Sequence, residues 1–406
     1  MSARRAAGLA ALALAAAAWA LFALLLWRSS RVPSSLRLPK VHVGALFTAQ
    51  QLARARNFER FGRIDWLLSE LALLGVLAVY ARRGARFARE SAAGRIGTGL
   101  LLGMLGLGLV WLVQLPFGLA DVWWERRWGI GHGDYLEWIV GNWAALAGEF
   151  LSVCAALVIV MGLARLLGDR WWLVGAPVFV GIAALFTFVQ PYLITDTHPL
   201  RDPALLADAR RYAHEQGLGN VRIEVEDVHT ETSAPNAEAV GLGPTRRVVL
   251  WDTLLDGRFT PREVRVVVAH ELGHLSRNHL VKGLAWFALF AIPGAWVIAR
   301  VTRRRGGMAE PAAVPLALFV LVVLQLLALP LQVAISRRVE AEADWMALRT
   351  TRDPAAATGV FRKFTTVALE QPDPPGWAYV LLADHPTIEQ RIGMAEAWQR
   401  LHPAPR

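Results

Sequence analysis

The chain contains very little cysteine, since Cys154 is the only one among its 406 residues. A single thiol excludes a disulfide framework and a cysteine-based metal site, although it says little about the cellular compartment. Lysine is also scarce, so the formal net charge of +10 comes almost entirely from arginine. The basic residues form no stripe with interleaved aromatics outside the ends of apolar segments, and we therefore expect no nucleic acid partner.

Charged residues make up only 19% of the chain, whereas 55% of its residues are hydrophobic and the mean hydropathy is +0.36. This balance indicates an integral membrane protein rather than two or three soluble domains. Apolar runs long enough to cross the hydrocarbon core of a bilayer predict about seven spans. They lie at residues 7–27, 64–81, 97–119, 138–167, 171–194, 283–301 and 312–335.

The first apolar run has two interpretations. Arg4 and Arg5 precede it, as in a signal peptide, but the run is longer than a typical signal core and no convincing cleavage site follows. We favour a membrane anchor, and a cleaved signal is the alternative. The basic, amphipathic stretch 28–63 is expected to lie at the membrane interface.

The predicted fold class is mainly α, a polytopic membrane protein with a small α+β domain. Residues 1–195 form a membrane region with about five spans, and a transmembrane hairpin covers 281–335. The remaining two parts, 196–280 and 336–406, are polar and together would form the α+β domain. In the first of them we expect a helix from Asp202-Pro203 to about Gly217 and strands near 221–228 and 246–251.

The stretch TPREVRVVVAHELGHLSRNH at 260–279 has the pattern of a capped helix. Thr260 is a favourable N-cap residue, Pro261 fits the first helical position, and Glu263 completes a capping box. The uncharged residues at 266–269 favour burial of the same helix.

Within this helix the HExxH motif places His270 and His274 four residues apart, so both imidazoles project from one face. Two nitrogen ligands at that spacing can reach one zinc ion, and Glu271 can face a water at the same ion. Glu271 could then take a proton as the water attacks an amide carbonyl polarised by the metal. The alternative is a capped helix with two half-buried histidines. A carboxylate beside them on an apolar helix would be costly without a metal.

Such a zinc site needs a third protein ligand, and the stretch SRRVEAEAD at 336–344 supplies carboxylates. Glu340 and Asp344 lie four residues apart on a second helix and share a face. We predict that Glu340 is the third ligand of a single Zn²⁺ and that Asp344 accepts a hydrogen bond from a ligand histidine. Glu342 points elsewhere and is the weaker candidate. A solvated charge cluster is the alternative for the whole stretch.

The spacing of the two motifs supports a shared ion independently. If the two histidines and Glu340 bind one metal, the chain between them must return to the same side of the membrane. Two spans do this, whereas one or three would not, and the hydropathy pattern places two spans between the motifs.

Several motifs together resemble the type I CAAX prenyl endopeptidases, a family of integral-membrane zinc metalloproteases. HELGH and a later SRRxExxAD motif are separated by two hydrophobic segments. The resemblance covers about residues 120 to 395. Its other motifs are WWERRWG at 123–129, Asn236-Ala237 followed by Gly241, RVVLWDTLL at 247–255, and His385-Pro386 followed by Arg391.

The resemblance implies a substrate-binding strand. Asn236 and Ala237 are similar to the start of an edge strand that binds a peptide as an added β-strand, with Asn236 placed to contact the substrate. An ordinary loop after Pro235 is the alternative.

The resemblance also implies roles for two residues near the C-terminus. His385 is similar to a residue that stabilises the developing oxyanion, although it could equally belong to a helix start before Pro386. Arg391 is expected to pair with Glu340 or Asp344.

The sequence therefore predicts a membrane-embedded zinc metalloendopeptidase that acts on membrane-associated peptide or lipidated-peptide substrates. Its small α+β domain, from the parts 196–280 and 336–406, would be a zincin-like catalytic domain. The resemblance implies cleavage after a prenylated cysteine in a C-terminal CAAX motif, and a catalytic domain on the cytoplasmic face. The loop charges alone do not decide the orientation. The alternatives are a membrane-protein quality-control metalloprotease and a non-catalytic metal-binding scaffold or transporter. His198 and His279 are expected to be surface histidines.

Overall fold

A computed structural model describes residues 3–89 and 93–403 of the chain. Its helices are α1 Ala3–Arg28, α2 Val43–Leu46, α3 Ala49–Arg83, α4 Gly94–Trp128, α5 Tyr135–Leu167, α6 Trp172–Val189, α7 Pro203–Glu215, α8 Pro261–Ser276, α9 His279–Thr302, α10 Val314–Thr351, α11 Pro354–Val367, α12 Gly376–Leu381 and α13 Ile388–Leu401. Its strands are β1 Thr197–Pro199, β2 Arg222–Glu226, β3 Ala237–Val240 and β4 Arg247–Trp251. The expected fold class, a mainly helical membrane protein with a small α+β part, is confirmed.

Six of the described helices are long and apolar enough to cross a membrane, namely α3, α4, α5, α6, α9 and α10. In α1, which covers the first expected span, the apolar segment Ala13–Arg28 is shorter. The count is therefore close to the expected seven. Neighbouring helices pack in a closed order, in which α3, α4, α5, α6, α9 and α10 each contact the next and α10 returns to α3.

The second expected span begins much earlier in the structure than the sequence pattern indicated. α3 starts at Ala49, so residues 49–63 of the expected interfacial stretch 28–63 belong to the long helix that crosses the membrane. Thr48 caps this helix by accepting a hydrogen bond from the Gln51 N–H, while the Gln51 side chain accepts from the Thr48 N–H. The capping box fixes the helix start before the apolar run begins.

The four strands form one sheet in the order β1–β2–β4–β3. β2 and β4, the two expected strands, pair in parallel at its centre. β1, which the sequence pattern did not predict, and β3 pair antiparallel at the two edges. β3 is therefore an edge strand that hydrogen-bonds one neighbour in the sheet.

The main hydrophobic core joins the two polar parts of the chain. It takes Val248, Leu250 and Leu272 from the part before the transmembrane hairpin, and Leu348 and Ile392 from the part after it. All five are at most 1% exposed. The two parts are therefore packed as a single unit, although the α9–α10 hairpin separates them in sequence.

α10 is one continuous helix of 38 residues that includes both the last membrane span and the stretch 336–344. Pro330 lies within it, and no proline or glycine interrupts the sequence from there to the helix end. The side chains of that stretch are therefore rigidly connected to the membrane-spanning part of the same helix.

Gly273 sets how closely α8 approaches α10. A Cβ atom at this position would lie 3.1 Å from Met346 Cβ and 3.4 Å from the Ala343 backbone. The two helices therefore meet at a position where only glycine fits without a shift of the neighbouring helix.

Replacing Gly273 with valine should push α8 and α10 apart. Overpacking of this kind costs about 1–3 kcal/mol, so we expect a lower thermal unfolding midpoint in detergent and less metal retained after dialysis. Gly283→Val in α9 is a matched control, because a Cβ there meets no atom within 4 Å. Equal losses in both variants would show that the close approach at Gly273 is not the cause.

Candidate metal centre

Helix α8 presents the two motif histidines to one small volume. Its capping box forms, with the Glu263 carboxylate accepting from the Thr260 N–H at 2.6 Å. The rings of His270 and His274 have centroids 4.8 Å apart, and their Nε2 atoms are separated by 3.0 Å. The helix is buried on most sides, so the two rings point into the protein rather than into solvent.

Glu340 from α10 joins the two histidines. Its Oε2 lies 3.1 Å from His270 Nε2, and its Oε1 lies 3.5 Å from His274 Nε2. Candidate ligand atoms of the three residues lie within 4.8 Å of one another. Zinc holds nitrogen and oxygen ligands at about 2.0–2.2 Å in a tetrahedron, which places two ligand atoms about 3.3 Å apart. The separations fit this geometry, so the three side chains could hold one zinc ion and leave its fourth position open.

Asp344 connects the cluster to a buried arginine. Asp344 Oδ1 lies 2.9 Å from His270 Nδ1, and a proton on that nitrogen leaves the Nε2 lone pair free for a metal. Arg391 donates to both carboxylate oxygens of Asp344, from Nε at 2.9 Å and from Nη2 at 2.7 Å. Of the two pairings expected for Arg391, the structure contains the one with Asp344.

These contacts change the proton affinity of His270. Burial alone lowers its pKa, but the hydrogen bonds to Asp344 and Glu340 raise the pKa of His270 to about 9. In metal-free protein the imidazole is therefore protonated at neutral pH, and a metal must displace that proton.

Glu271 lies beside the cluster and lines an open cavity together with His270 and His385. Burial raises the pKa of the Glu271 carboxyl, and the neighbouring His270 and His274 oppose that rise. A carboxylate with a raised pKa is a stronger proton acceptor, which is the property a general base requires.

His385 reaches the same cluster from the loop before α13. Its Nε2 lies 3.2 Å from Glu340 Oε2, and its Nδ1 lies 2.9 Å from Asp384 Oδ1. Burial lowers the pKa of His385, but the hydrogen bonds to Asp384 and Glu340 outweigh burial and raise the pKa of His385 to about 10. The side chain is therefore a cation at the cavity at neutral pH, and a cation there can stabilise negative charge that develops on a bound group.

The edge strand β3 borders the same cavity. Asn236 and Ala237 line it, and Trp251 of β4 donates its N–H to the Asn236 carbonyl at 3.0 Å. Because bonded pairs alternate along an antiparallel ladder, Ala237 and Ala239 direct their N–H and C=O groups to the open edge. An extended peptide could hydrogen-bond there, directly beside Glu271.

Two polar residues, His279 and Glu342, lie beside the site, although the sequence analysis did not place them there. His279, expected to be at the surface, is only 5% exposed, and its Nδ1 lies 3.1 Å from His274 Nδ1. Its Nε2 lies 3.2 Å from Glu342 Oε2. The expectation of a surface position was therefore wrong for His279. His198, in contrast, is half-buried and pairs with Asp227. The sequence feature that could have indicated burial of His279 is its position at the turn between the HExxH helix and a membrane span.

The fold and the cluster define a class of protein: a multi-pass integral membrane protein with an HExxH-type metallopeptidase site. Residues 199–399 match the family model described as Peptidase family M48. The part of the chain at 199–399 belongs to peptidase family M48. The resemblance to the type I CAAX prenyl endopeptidases is confirmed.

Individual relatives agree with this assignment. The uncharacterized metalloprotease YhfN of Bacillus subtilis is 30% identical over 241 residues, which is 56% of this chain and 56% of that protein. CAAX prenyl protease 1 of Saccharomyces cerevisiae is 37% identical over 95 residues, 23% of this chain and 20% of that protein. A protease HtpX homolog of Acidiphilium cryptum is 26% identical over 281 residues, 60% of this chain and 93% of that protein. The chain thus spans about half the length of the first relative and a fifth of the second.

The crystal structure of S. mikatae Ste24p has the same fold. The two structures align with a TM-score of 0.72 at 20% sequence identity, over 94% of this chain and 97% of that one. The similarity therefore includes the membrane helices as well as the part that contains the HExxH motif.

Metal affinity should increase with pH across the neutral range. Below pH 9 the metal-free protein holds a proton on His270, and zinc binding releases it. One released proton makes the apparent dissociation constant fall about tenfold per pH unit between pH 6 and 8. Competition with a chromophoric chelator measures this slope, after correction for the chelator's own protonation. A dissociation constant that does not change over this range would contradict the protonated state of His270.

Proposed function

We propose that this protein is a membrane-embedded zinc endopeptidase that hydrolyses peptide bonds of membrane-associated substrates. The observation that carries the proposal is the position of Glu271. It lines one cavity with His270, which belongs to the candidate ligand set, and with the open edge of β3. A ligand set, a proton acceptor and a surface for an extended peptide therefore meet in one place.

His270, His274 and Glu340 are the residues that would hold the metal. A zinc ion bound there would supply a Lewis acid for the scissile carbonyl and would lower the pKa of a bound water. Glu271 accepts the proton from the attacking water and returns it to the leaving amine. His385, as a cation, stabilises the negative charge on the carbonyl oxygen in the transition state.

β3 orients the peptide for this reaction. The N–H and C=O groups of Ala237 and Ala239 hydrogen-bond an extended substrate and place its scissile bond over Glu271, while Asn236 contacts the substrate at the end of the strand. Apolar side chains also line the cavity and suit an aliphatic or aromatic substrate side chain. They belong to Leu254, Val266, Val267, Val360, Phe361 and Phe364.

A prenylated C-terminal CAAX peptide is the substrate class favoured first, since the Saccharomyces cerevisiae relative carries the name CAAX prenyl protease 1. Quality control of membrane proteins is the second candidate, because protease HtpX homologs match this chain over most of their own length. A metal-binding scaffold is less favoured, because a structural zinc site has four protein ligands, whereas the group found among the described residues has three.

We propose that the catalytic domain lies on the cytoplasmic face, as the resemblance implies. Protease protection of residues 196–280 in sealed, oriented membrane vesicles tests this. Cleavage of that segment by protease added to the outside of right-side-out vesicles would contradict the cytoplasmic orientation.

Replacing Glu271 with glutamine should abolish hydrolysis while leaving zinc in place. Loss of a general base costs about 10²–10⁴-fold in turnover, and Glu271 is not among the candidate ligands, so the zinc content should stay equal to wild type. Detergent-purified protein is assayed for metal content and for cleavage of a quenched fluorescent peptide. Glu396→Gln, on the surface of α13 beside Arg400, is the matched control and should cleave at the wild-type rate. Undiminished turnover in Glu271→Gln would refute the proposed mechanism.

A pair of peptides separates the two substrate classes. We expect a farnesylated CAAX peptide to be cleaved at least tenfold more efficiently than the same peptide without the lipid, because the lipid holds the substrate in the membrane beside the cavity. Equal efficiencies on the two peptides would rule out the prenylated substrate and leave quality control of membrane proteins as the second candidate function.

A further inference from the structure

A line of buried polar side chains extends from His274 away from the cavity. His274 Nδ1 lies 3.1 Å from His279 Nδ1, and His279 Nε2 lies 3.2 Å from Glu342 Oε2. His279 is 5% exposed and Glu342 is 2% exposed. Neither residue belongs to the candidate ligand set, and the mechanism above uses neither of them.

The chemistry of these groups determines where the protons lie when His279 is neutral. The Glu342 carboxylate can only accept a hydrogen bond, so His279 Nε2 must donate. His279 then has its lone pair on Nδ1, and His274 Nδ1 donates to it. This leaves the His274 lone pair on Nε2, the atom that faces His270 and Glu340.

The opposite arrangement shows why the line of contacts matters. If His279 donated from Nδ1, His274 would have to accept at its own Nδ1 and carry its proton on Nε2. A protonated Nε2 cannot bind a metal. His274 therefore adopts its metal-binding tautomer only when its neighbour accepts a hydrogen bond from His274 Nδ1.

Glu342 is itself held in place by three donors. Arg277 Nε lies 2.7 Å from its Oε1, Lys282 Nζ lies 3.2 Å from its Oε2, and the Arg31 backbone N–H donates to Oε1 at 2.9 Å. Arg277 also donates to the carbonyl of Ser29, just after α1. Because every partner is a donor, the carboxylate remains an acceptor towards His279.

We propose that His279 and Glu342 are positioning residues of the metal centre, which hold His274 in the tautomer that presents Nε2 to zinc. The pair does for His274 what Asp344 and Arg391 do for His270 on the other side of the cluster. This inference rests on the proposed zinc site, and its test reads metal binding rather than peptide cleavage. It assigns His279 and Glu342 a function beyond packing α1 and α9 against α10.

The test compares two substitutions of His279. His279→Leu removes the acceptor, and the zinc dissociation constant should rise about 10–100-fold, as is typical when the outer partner of a ligand histidine is lost. His279→Asn places an amide oxygen near the position of Nδ1 and should recover most of the affinity. Chelator competition gives the dissociation constants, and the visible spectrum of the Co²⁺-substituted protein reports the ligand geometry.

Glu342→Gln provides a second variant of nearly unchanged size. Its amide can donate to His279 and so favour the wrong tautomer, and we expect about tenfold weaker zinc binding. Glu263→Gln is the matched control, because Glu263 is a buried, ion-paired residue of the same core that lies outside the line of contacts. It should bind zinc as wild type does, even if its thermal midpoint falls.

A wild-type zinc dissociation constant and Co²⁺ spectrum in His279→Leu would overturn the proposal, as would an asparagine variant no better than the leucine one. Should His279→Leu fail to fold, wild-type zinc affinity in Glu342→Gln overturns it instead. These outcomes are distinct from failure of the proposed function. If wild-type protein binds zinc and cleaves no peptide, only the proposed function fails.

Discussion

The close packing of α8 on α10 is the constraint on which the rest of the structure depends. One helix carries the two histidines and the other carries Glu340, and Gly273 removes the side chain that would otherwise separate them. α10 is also the last membrane-spanning helix, without interruption. A carboxylate of the candidate metal site is therefore rigidly attached to a membrane-spanning helix. A tilt of α10 relative to α8 would change the distance from Glu340 to the histidines.

The same region contains three buried acidic residues within five positions of α10, and each has a different set of partners. Glu340 faces the histidines of the cluster, Glu342 faces a group of cationic donors, and Asp344 is clamped by Arg391. Buried charges are stable only when each is paired and hydrogen-bonded. Because the helix directs neighbouring positions to different sides, one short stretch organises three separate sets of polar contacts at and beside the candidate metal site.

Much of this arrangement could be predicted from local rules. The capping residues at Thr260 mark the start of α8, the spacing of His270 and His274 places them on one face, and two intervening spans return the chain to Glu340. Each of these rules concerns residues close together in sequence or a simple count of membrane crossings. The start of α3 was misplaced because hydropathy detects the apolar run rather than the helix, although the Thr48 capping box was readable. β1 is too short, at three residues, to produce a periodic pattern.

His279 shows most clearly where such rules fail. On an unbroken helix a residue five positions after His274 would project from the far side, so a surface histidine was the natural prediction. The helix instead ends, and Asn278 adopts a left-handed conformation with φ of 52°. Asparagine tolerates this conformation better than most residues, and the turn brings the His279 ring back to 4.9 Å from the His274 ring. Contact between the two residues thus depends on the break in the helix. For that reason the Asn-His pair after the helix, rather than the spacing of the histidines, is the sequence feature that indicates a contact between His274 and His279.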